Sequence, residues 1–431
     1  MSLDVTACRR WMPALFAMLA IQLTLIVPAS AQAPVPVTLI YTFGFGSSTG
    51  TTCSNLDGAE PVGSLTSANG LLFGSTSSTT GKGNGDGIVF QIGLDGSNYT
   101  IDHQFTGATT DGNDPRNNAM TLDGTVLYGT TLTGGQHNNG TIYSINDDGT
   151  GYSELFSFAK TAQVNQGDQP FSSLALSNGV LYGMTSEGGG KGGPVGFGTI
   201  FSFDPDTATY TKLHSFNRDG GRDPHGQPIL DPTGTTIYGM TREGGKRNVG
   251  VIFSFTPCTP TSSCKNKFKV LHAFSCPLDA TPTCVDASDG ASPDHGTLVQ
   301  SGTTLYGLTT AGGQFGLGTV FSLSLNGNNE FTVLHSFGGD LNDGRNPFGS
   351  LLLNGATLYG TTNAGGTLGM GTVFQINTDG TNYARVHDFA GGTSDGATPI
   401  DNVILVNNTL FGMTEAGGEC NHGVIFAIAL P

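Results

Sequence analysis

From about residue 38 onward the chain alternates short apolar stretches with glycine-rich or polar loops. Residues 348–353 (FGSLLL) form an apolar run closed by Asn354-Gly355, a dipeptide suited to a tight hairpin. Residues 356–362 (ATLYGTT) follow, and a glycine loop leads into 371–377 (GTVFQIN). Asp379-Gly380 marks a second hairpin, and 382–389 (NYARVHDF) alternates in character as a half-buried strand does. The next unit opens near Pro399, where a missing N–H costs no ladder bond. The pattern predicts four short antiparallel strands per unit, with no helical period between them.

One phrase of this unit recurs seven times: LFGST (72–76), LYGTT (127–131), LYGMT (181–185), IYGMT (237–241), LYGLT (305–309), LYGTT (358–362) and LFGMT (410–414). Its glycines, Gly74, Gly129, Gly183, Gly239, Gly307, Gly360 and Gly412, are spaced by 55, 54, 56, 68, 53 and 52 residues. Seven such units predict an all-β fold, a single seven-bladed β-propeller of four-stranded blades over residues 36–431. An open β-solenoid is the rival. The seventh unit decides between them, because it stops after its third strand, while a matching strand, residues 38–43 (TLIYTF), stands alone at the start. A ring would complete its last blade with that N-terminal strand and so remove an open edge.

The units resemble the GloVer tandem repeat of secreted bacterial proteins, whose pattern runs LYGTT, GG, GTVF, DG and LHxF. The resemblance covers nearly all of the chain after the leader and implies no catalytic residues, since the family carries no established activity. Members often carry a C-terminal surface anchor; none follows the last strand here, so free secretion or the periplasm is expected. Kelch propellers are a more distant architectural analogy: residues 200–213 share their strand–turn–strand character, without the tryptophan expected there.

Residues 1–31 read as a secretory signal, with Arg9 and Arg10, an apolar run over 12–27 and the small-residue site Ala29-Ser30-Ala31. Its removal leaves 15 basic and 32 acidic residues, a net charge of −17 that repels nucleic acid and anionic membrane surfaces. No second stretch has spanning length, so the mature chain is expected to be soluble, not membrane-spanning, and monomeric. Glycine, 67 of 431 residues, and a charged fraction of 12% fit turns and strands better than helices.

Six cysteines remain after the leader, an even number that suits an oxidising compartment. Cys258 and Cys264 fall between the third and fourth strands of the fourth unit, Cys276 and Cys284 after its fourth strand. The alternation of loops puts these pairs on opposite faces, which predicts Cys258–Cys264 and Cys276–Cys284 bridges. Cys53 and Cys420 become neighbours if the N-terminal strand completes the seventh blade, and a bridge between them is predicted.

Asp-Gly pairs recur between units at Asp57, Asp111, Asp219, Asp289, Asp343 and Asp395, with Asp168-Gln169 in the third. They read as turn residues, since single carboxylates in separate blades make no calcium cage. His103, His214, His272, His335 and His387 end the fourth strands and read as structural partners; ELFSF (154–158) is the variant without histidine. No spacing gathers metal ligands, and no cofactor is expected. The GxSxG match at 46–50 lacks the strand-to-helix elbow that makes such a serine reactive.

Polar residues outside the repeat are the better candidates for function. Loops between blades and the long glycine loops share one face, and there fall Arg116, His137, Glu187, Arg222, His225, Arg242, Glu243, Arg247, Asp294, His295, Arg345, Asp401 and His422. The leading reading is a secreted, non-enzymatic binding module for extracellular polysaccharide or protein. One alternative is an extracellular carbohydrate-active hydrolase or lyase using Glu187 and Glu243 as a carboxylate pair; another is a purely structural surface protein.

Overall fold

Seven antiparallel four-stranded sheets repeat around a ring. The computed structural model describes residues 36–44, 53, 57–78, 86–116, 119–160, 165–190, 196–258, 267–275 and 289–431. The signal segment and the GxSxG match lie outside them. In the fifth blade the strands are Val299–Ser301, Thr304–Thr309, Thr319–Ser324 and Phe331–Ser336. The seventh blade takes Ile404–Val406, Thr409–Thr414 and Val424–Ala429 from its own unit, and its fourth strand is Thr38–Thr42. That strand runs antiparallel to Val424–Ala429, with Leu39 opposite Phe426 and Tyr41 opposite Ile425. The ring is closed by the N-terminal strand, as the unpaired strand at the start of the sequence predicts.

The repeated phrase is a packing device. Gly307 lies opposite Phe321 on the neighbouring strand. A Cβ on Gly307 would stand 2.5 Å from Phe321 Cζ, so the ring covers the glycine face. This lets a large aromatic lie flat on the sheet and reach the next blade. Phe321 then packs with Met240 and Ile252 of the fourth blade, and Phe374 of the sixth with Leu308 and Val320 of the fifth. Among the described residues the core is made chiefly of seven clusters, each shared by two adjacent blades. Gly307→Ala should cost about 1–3 kcal/mol by overpacking; a denaturant midpoint equal to wild type would mean that the Phe321 ring yields without cost.

The histidine at the end of the fourth strand joins neighbouring blades. His335 stacks on Tyr383 of the sixth blade, ring centroids 3.7 Å apart, and contacts Asp343 through Nε2 at 3.2 Å. Asp343 also accepts hydrogen bonds from Tyr383 Oη (2.5 Å) and from the backbone N–H groups of Gly338 and Gly344, both at 2.8 Å. The same histidine–aspartate contact joins His103 to Asp111, His272 to Asp289 and His387 to Asp395. Asp57 in the first blade accepts from Tyr41 Oη and from Gly44 N.

Two blades depart from this, and both correct the sequence alignment. Gly221, not Gly220, packs on Thr241 as Gly112 packs on Thr131, so Gly220 holds the carboxylate position and Asp219 is exposed. His214 accordingly has a buried Nε2 with no hydrogen-bond partner among the described residues. In the third blade Gly167 packs on Thr185, which puts Gln166 at that position; Asp168 sits two residues on and pairs with Lys160 at 2.6 Å. Phe156, on the fourth strand of the second blade, stands in the place of the histidine and stacks on Tyr210 of the third without needing a carboxylate.

Burial pushes the Asp343 carboxyl up, but hydrogen bonds from His335, Tyr383 and the backbone, together with the His335 charge, outweigh it and hold the group at about 2. An aspartate depressed by folding stabilises above its unfolded value, near 3.9, and loses that contribution as pH falls toward 2. Acid titration followed by circular dichroism should show wild type losing stability between about pH 4 and 2, and Asp343→Asn should flatten that limb. An unchanged limb in the variant would remove Asp343 as its source.

Of the other cysteine expectations, Cys258 is disulfide-bonded, while Cys264, Cys276 and Cys284 lie outside the described residues. Cys53 and Cys420 are joined, with Cα atoms 5.6 Å apart. No helix among the described residues is long and apolar enough to cross a membrane.

Candidate functional site

Two local rules aim side chains at the ring axis. First, the buried threonine that ends each repeated phrase turns the chain by donating to a carbonyl two residues on, as Thr241 does to Glu243 O (2.8 Å) and Thr309 to Ala311 O (3.0 Å). Second, the segment after that threonine pairs with the segment entering the blade: Ala59 with Ser78, Asp168 with Glu187, Arg222 with Glu243, Ala291 with Ala311, Arg345 with Ala364, Ala397 with Ala416. The second blade does the same with Asn113 and Thr133. Both loops of each blade are thus held by backbone hydrogen bonds up to the mouth.

The mouth is a cavity of about 640 Å³. The residue after the inter-blade proline lines it in all seven blades: Val62, Arg116, Phe171, His225, Asp294, Phe348 and Ile400. The residue after the threonine adds Ser186, Arg242, Asn363 and Glu415. Below lies a narrower space of about 200 Å³ ringed by Ser64, Ala119, Ser173, Gln227, Thr297, Ser350 and Asn402. Hydrogen bonds cross blade boundaries in this lower ring: Thr297 N donates to Ser350 Oγ at 2.8 Å, and Ala119 N to Ser173 Oγ at 2.8 Å.

The polar part of the mouth centres on His225. Its Nε2 lies 2.8 Å from Asp223 Oδ1 and its Nδ1 2.8 Å from Asp294 Oδ1. Burial lowers its pKa, but the two carboxylates outweigh burial and raise it to about 9, so the ring is an imidazolium at neutral pH. His295 Nε2 stands 3.2 Å from the same Asp294 oxygen. Burial pushes His295 down to about 4, so it is neutral. Phe171 stacks on His225 at 4.3 Å and meets His295 edge-on at 5.0 Å. Arg242 reaches Asp223 and Asp294, each at 3.4 Å. His295 has φ of 47°, a left-handed backbone uncommon for a residue with a side chain. Its loop has one residue more between Pro293 and the buried Leu298 than the sixth blade has between Pro347 and Leu351.

Among the predicted residues, Arg116, Glu187, His225, Arg242, Asp294 and His295 share this cavity. Asp401 lies in the lower space, where burial raises its pKa to about 6. Arg222, Glu243, Arg345, His137, Arg247 and His422 are not among the lining residues: His137 and Arg247 are exposed, and Arg345 is held in the strand pair with Ala364. Glu187 is bound to Lys160 at 3.1 Å, and Glu243 to Arg222. Val62, Phe171, Phe348 and Ile400 were missed because they are apolar; their position after the recurring proline would have found them.

An oligogalacturonate lyase in complex with manganese has the same fold, with a TM-score of 0.52 at 12% identity, covering 93% of this chain and 95% of that one. The Niastella koreensis GH74 enzyme gives 0.49 at 14%, covering 83% of this chain and 50% of that one. A chain of the nidogen/laminin complex gives 0.39 at 15%, covering 64% and 81%. No curated protein matches. The Gloeobacter/Verrucomicrobia repeat pattern matches residues 38–193 and 264–431, and the chain belongs to that repeat family.

Proposed function

We propose that the protein is a secreted carbohydrate-binding propeller that holds a saccharide chain in the mouth of its loop-rich face. The observation that carries this reading is the ring of residues after the inter-blade prolines. One scaffold position, repeated in seven blades, carries seven side chains of mixed chemistry, and all of them line one cavity. That variety at one scaffold position favours a ligand site over a purely structural ring. Phe171, Phe348, Val62 and Ile400 offer apolar surface to sugar C–H faces, while Arg116, Arg242 and Asn363 can donate to hydroxyls or carboxylates and Glu187 can accept from hydroxyls. The Cys53–Cys420 bridge fits an oxidising, extracytoplasmic setting. The net negative charge disfavours nucleic acid.

A panel of neutral and uronic-acid polysaccharides, read by affinity electrophoresis and calorimetry, tests the reading. Oligogalacturonate belongs in it because a lyase of that name shares the fold. The Phe171→Ala, Phe348→Ala double variant should bind at least about tenfold more weakly, roughly 1.4 kcal/mol, while Arg247→Ala, outside the mouth, should bind as wild type. A wild-type protein that retains no member of the panel would overturn the proposal.

A further inference from the structure

We propose that His225, Asp294 and His295 form a binding site for a first-row divalent transition ion, with Asp223 as the outer partner that orients His225. The three residues offer ligand atoms that all lie within 4.8 Å of one another. Asp294 Oδ1 is the common vertex, 2.8 Å from His225 Nδ1 and 3.2 Å from His295 Nε2. Ligand atoms about 2.0–2.2 Å from one ion stand at about these separations from each other. The loops that carry them are held by backbone pairing in adjacent blades, Arg222 with Glu243 and Ala291 with Ala311.

A second, independent observation is the far side of His225, whose Nε2 faces Asp223 Oδ1 at 2.8 Å. A carboxylate behind a ligating imidazole is the usual outer contact of such sites; it fixes the tautomer and raises the basicity of the other nitrogen.

Two imidazoles and one carboxylate suit zinc, cobalt or a similar ion, whereas calcium and magnesium prefer all-oxygen shells. The ion takes the place of the His225 Nδ1 proton, which passes to solvent, and Arg242 keeps its contact with Asp294 Oδ2. Three protein ligands are one fewer than a closed structural zinc site uses, so a position stays open to a ligand in the mouth that all three residues line. Sequence spacing gives no hint of this site, because 69 residues separate His225 from Asp294 and two blades must close to join them.

The test uses the mature chain freed of metal by a chelator, then titrated with Zn²⁺ by calorimetry and with Co²⁺ by visible absorption. One equivalent of Zn²⁺ should bind, Co²⁺ should give d–d bands that Zn²⁺ abolishes, and Mg²⁺ and Ca²⁺ should not compete. His295→Gln and Asp294→Asn should each abolish the Co²⁺ bands. Asp223→Asn should weaken binding by about 10–100-fold, as removal of an outer partner does. His137→Gln, an exposed histidine away from the mouth, should match wild type. Circular dichroism checks that each variant folds. Wild-type protein without Co²⁺ bands, or with Zn²⁺ affinity no greater than that of a folded His295→Gln variant, overturns the proposal and leaves His225 as a charge-paired imidazolium only. Loss of metal binding with sugar binding intact would sink this site without touching the carbohydrate reading.

Discussion

Deleting residues 38–43 is expected to abolish cooperative unfolding and drive the protein into aggregates. The segment supplies the fourth strand of the seventh blade, and with it every backbone hydrogen bond to the outer edge of Val424–Ala429. Phe43 is fully buried and packs edge-on against Phe90 of the first blade, 5.5 Å between centroids. Tyr41 stacks on Tyr99 of the first blade at 4.1 Å, and its hydroxyl donates to Asp57. Leu39 packs on the cluster shared by the sixth and seventh blades. Burial of each large apolar side chain is worth roughly 1.5–3 kcal/mol. Several such losses reach the whole stability of an ordinary domain, about 5–15 kcal/mol. The exposed strand edge then offers a template for other chains. Size-exclusion chromatography and a denaturant melt check this; an unchanged midpoint and a monomeric peak would mean that the ring does not depend on its closing strand.

The second large effect is expected at Cys53–Cys420. The bridge joins residues 367 apart in sequence, across the point where the ring closes. Cross-linking so long a segment removes loop entropy from the unfolded chain, on the order of 5 kcal/mol before any strain in the native state. Cys420→Ser, or reduction of wild type, should lower the guanidinium midpoint markedly while leaving the native circular dichroism intact. The bridge and the closing strand restrain the same junction, so their losses should not add: in a strand-deleted protein, Cys420→Ser should cost less than in wild type. Equal costs in both backgrounds would show that the bridge acts independently of closure.

Much of the scaffold was legible because its causes are local or periodic. The glycine of each repeated phrase exists to receive an aromatic ring from the next strand, as at Gly307 and Phe321, so it recurs wherever that packing recurs. Four of the five histidines that end fourth strands stack on an aromatic of the following blade, as His272 does on Phe331. Where one partner changes the other follows, as with Phe156 and Gln166, or is left unpaired, as with His214 opposite Gly220. The Asp-Gly dipeptides alone do not mark these two exceptions. The true register is set by which glycine packs on the buried threonine, and that contact is not visible in composition.

What the sequence alone determined is the ring: the number of blades, the strand that closes it, and the cysteine bridge that follows from closure. These rest on repeat spacing and strand pattern, which survive without knowledge of any loop. What only the tertiary structure decided is the mouth. His225, Asp294 and His295 come from two blades, and their meeting depends on side chains converging on the axis and on one loop taking a left-handed turn at His295. Phe171 and Phe348 join them through the same convergence; the recurring proline marks their position, but only the closed ring shows that this position faces the axis. Periodicity reports how each blade contacts the next; the axis is where all seven meet, and there the chemistry is set by residues that the repeat leaves free.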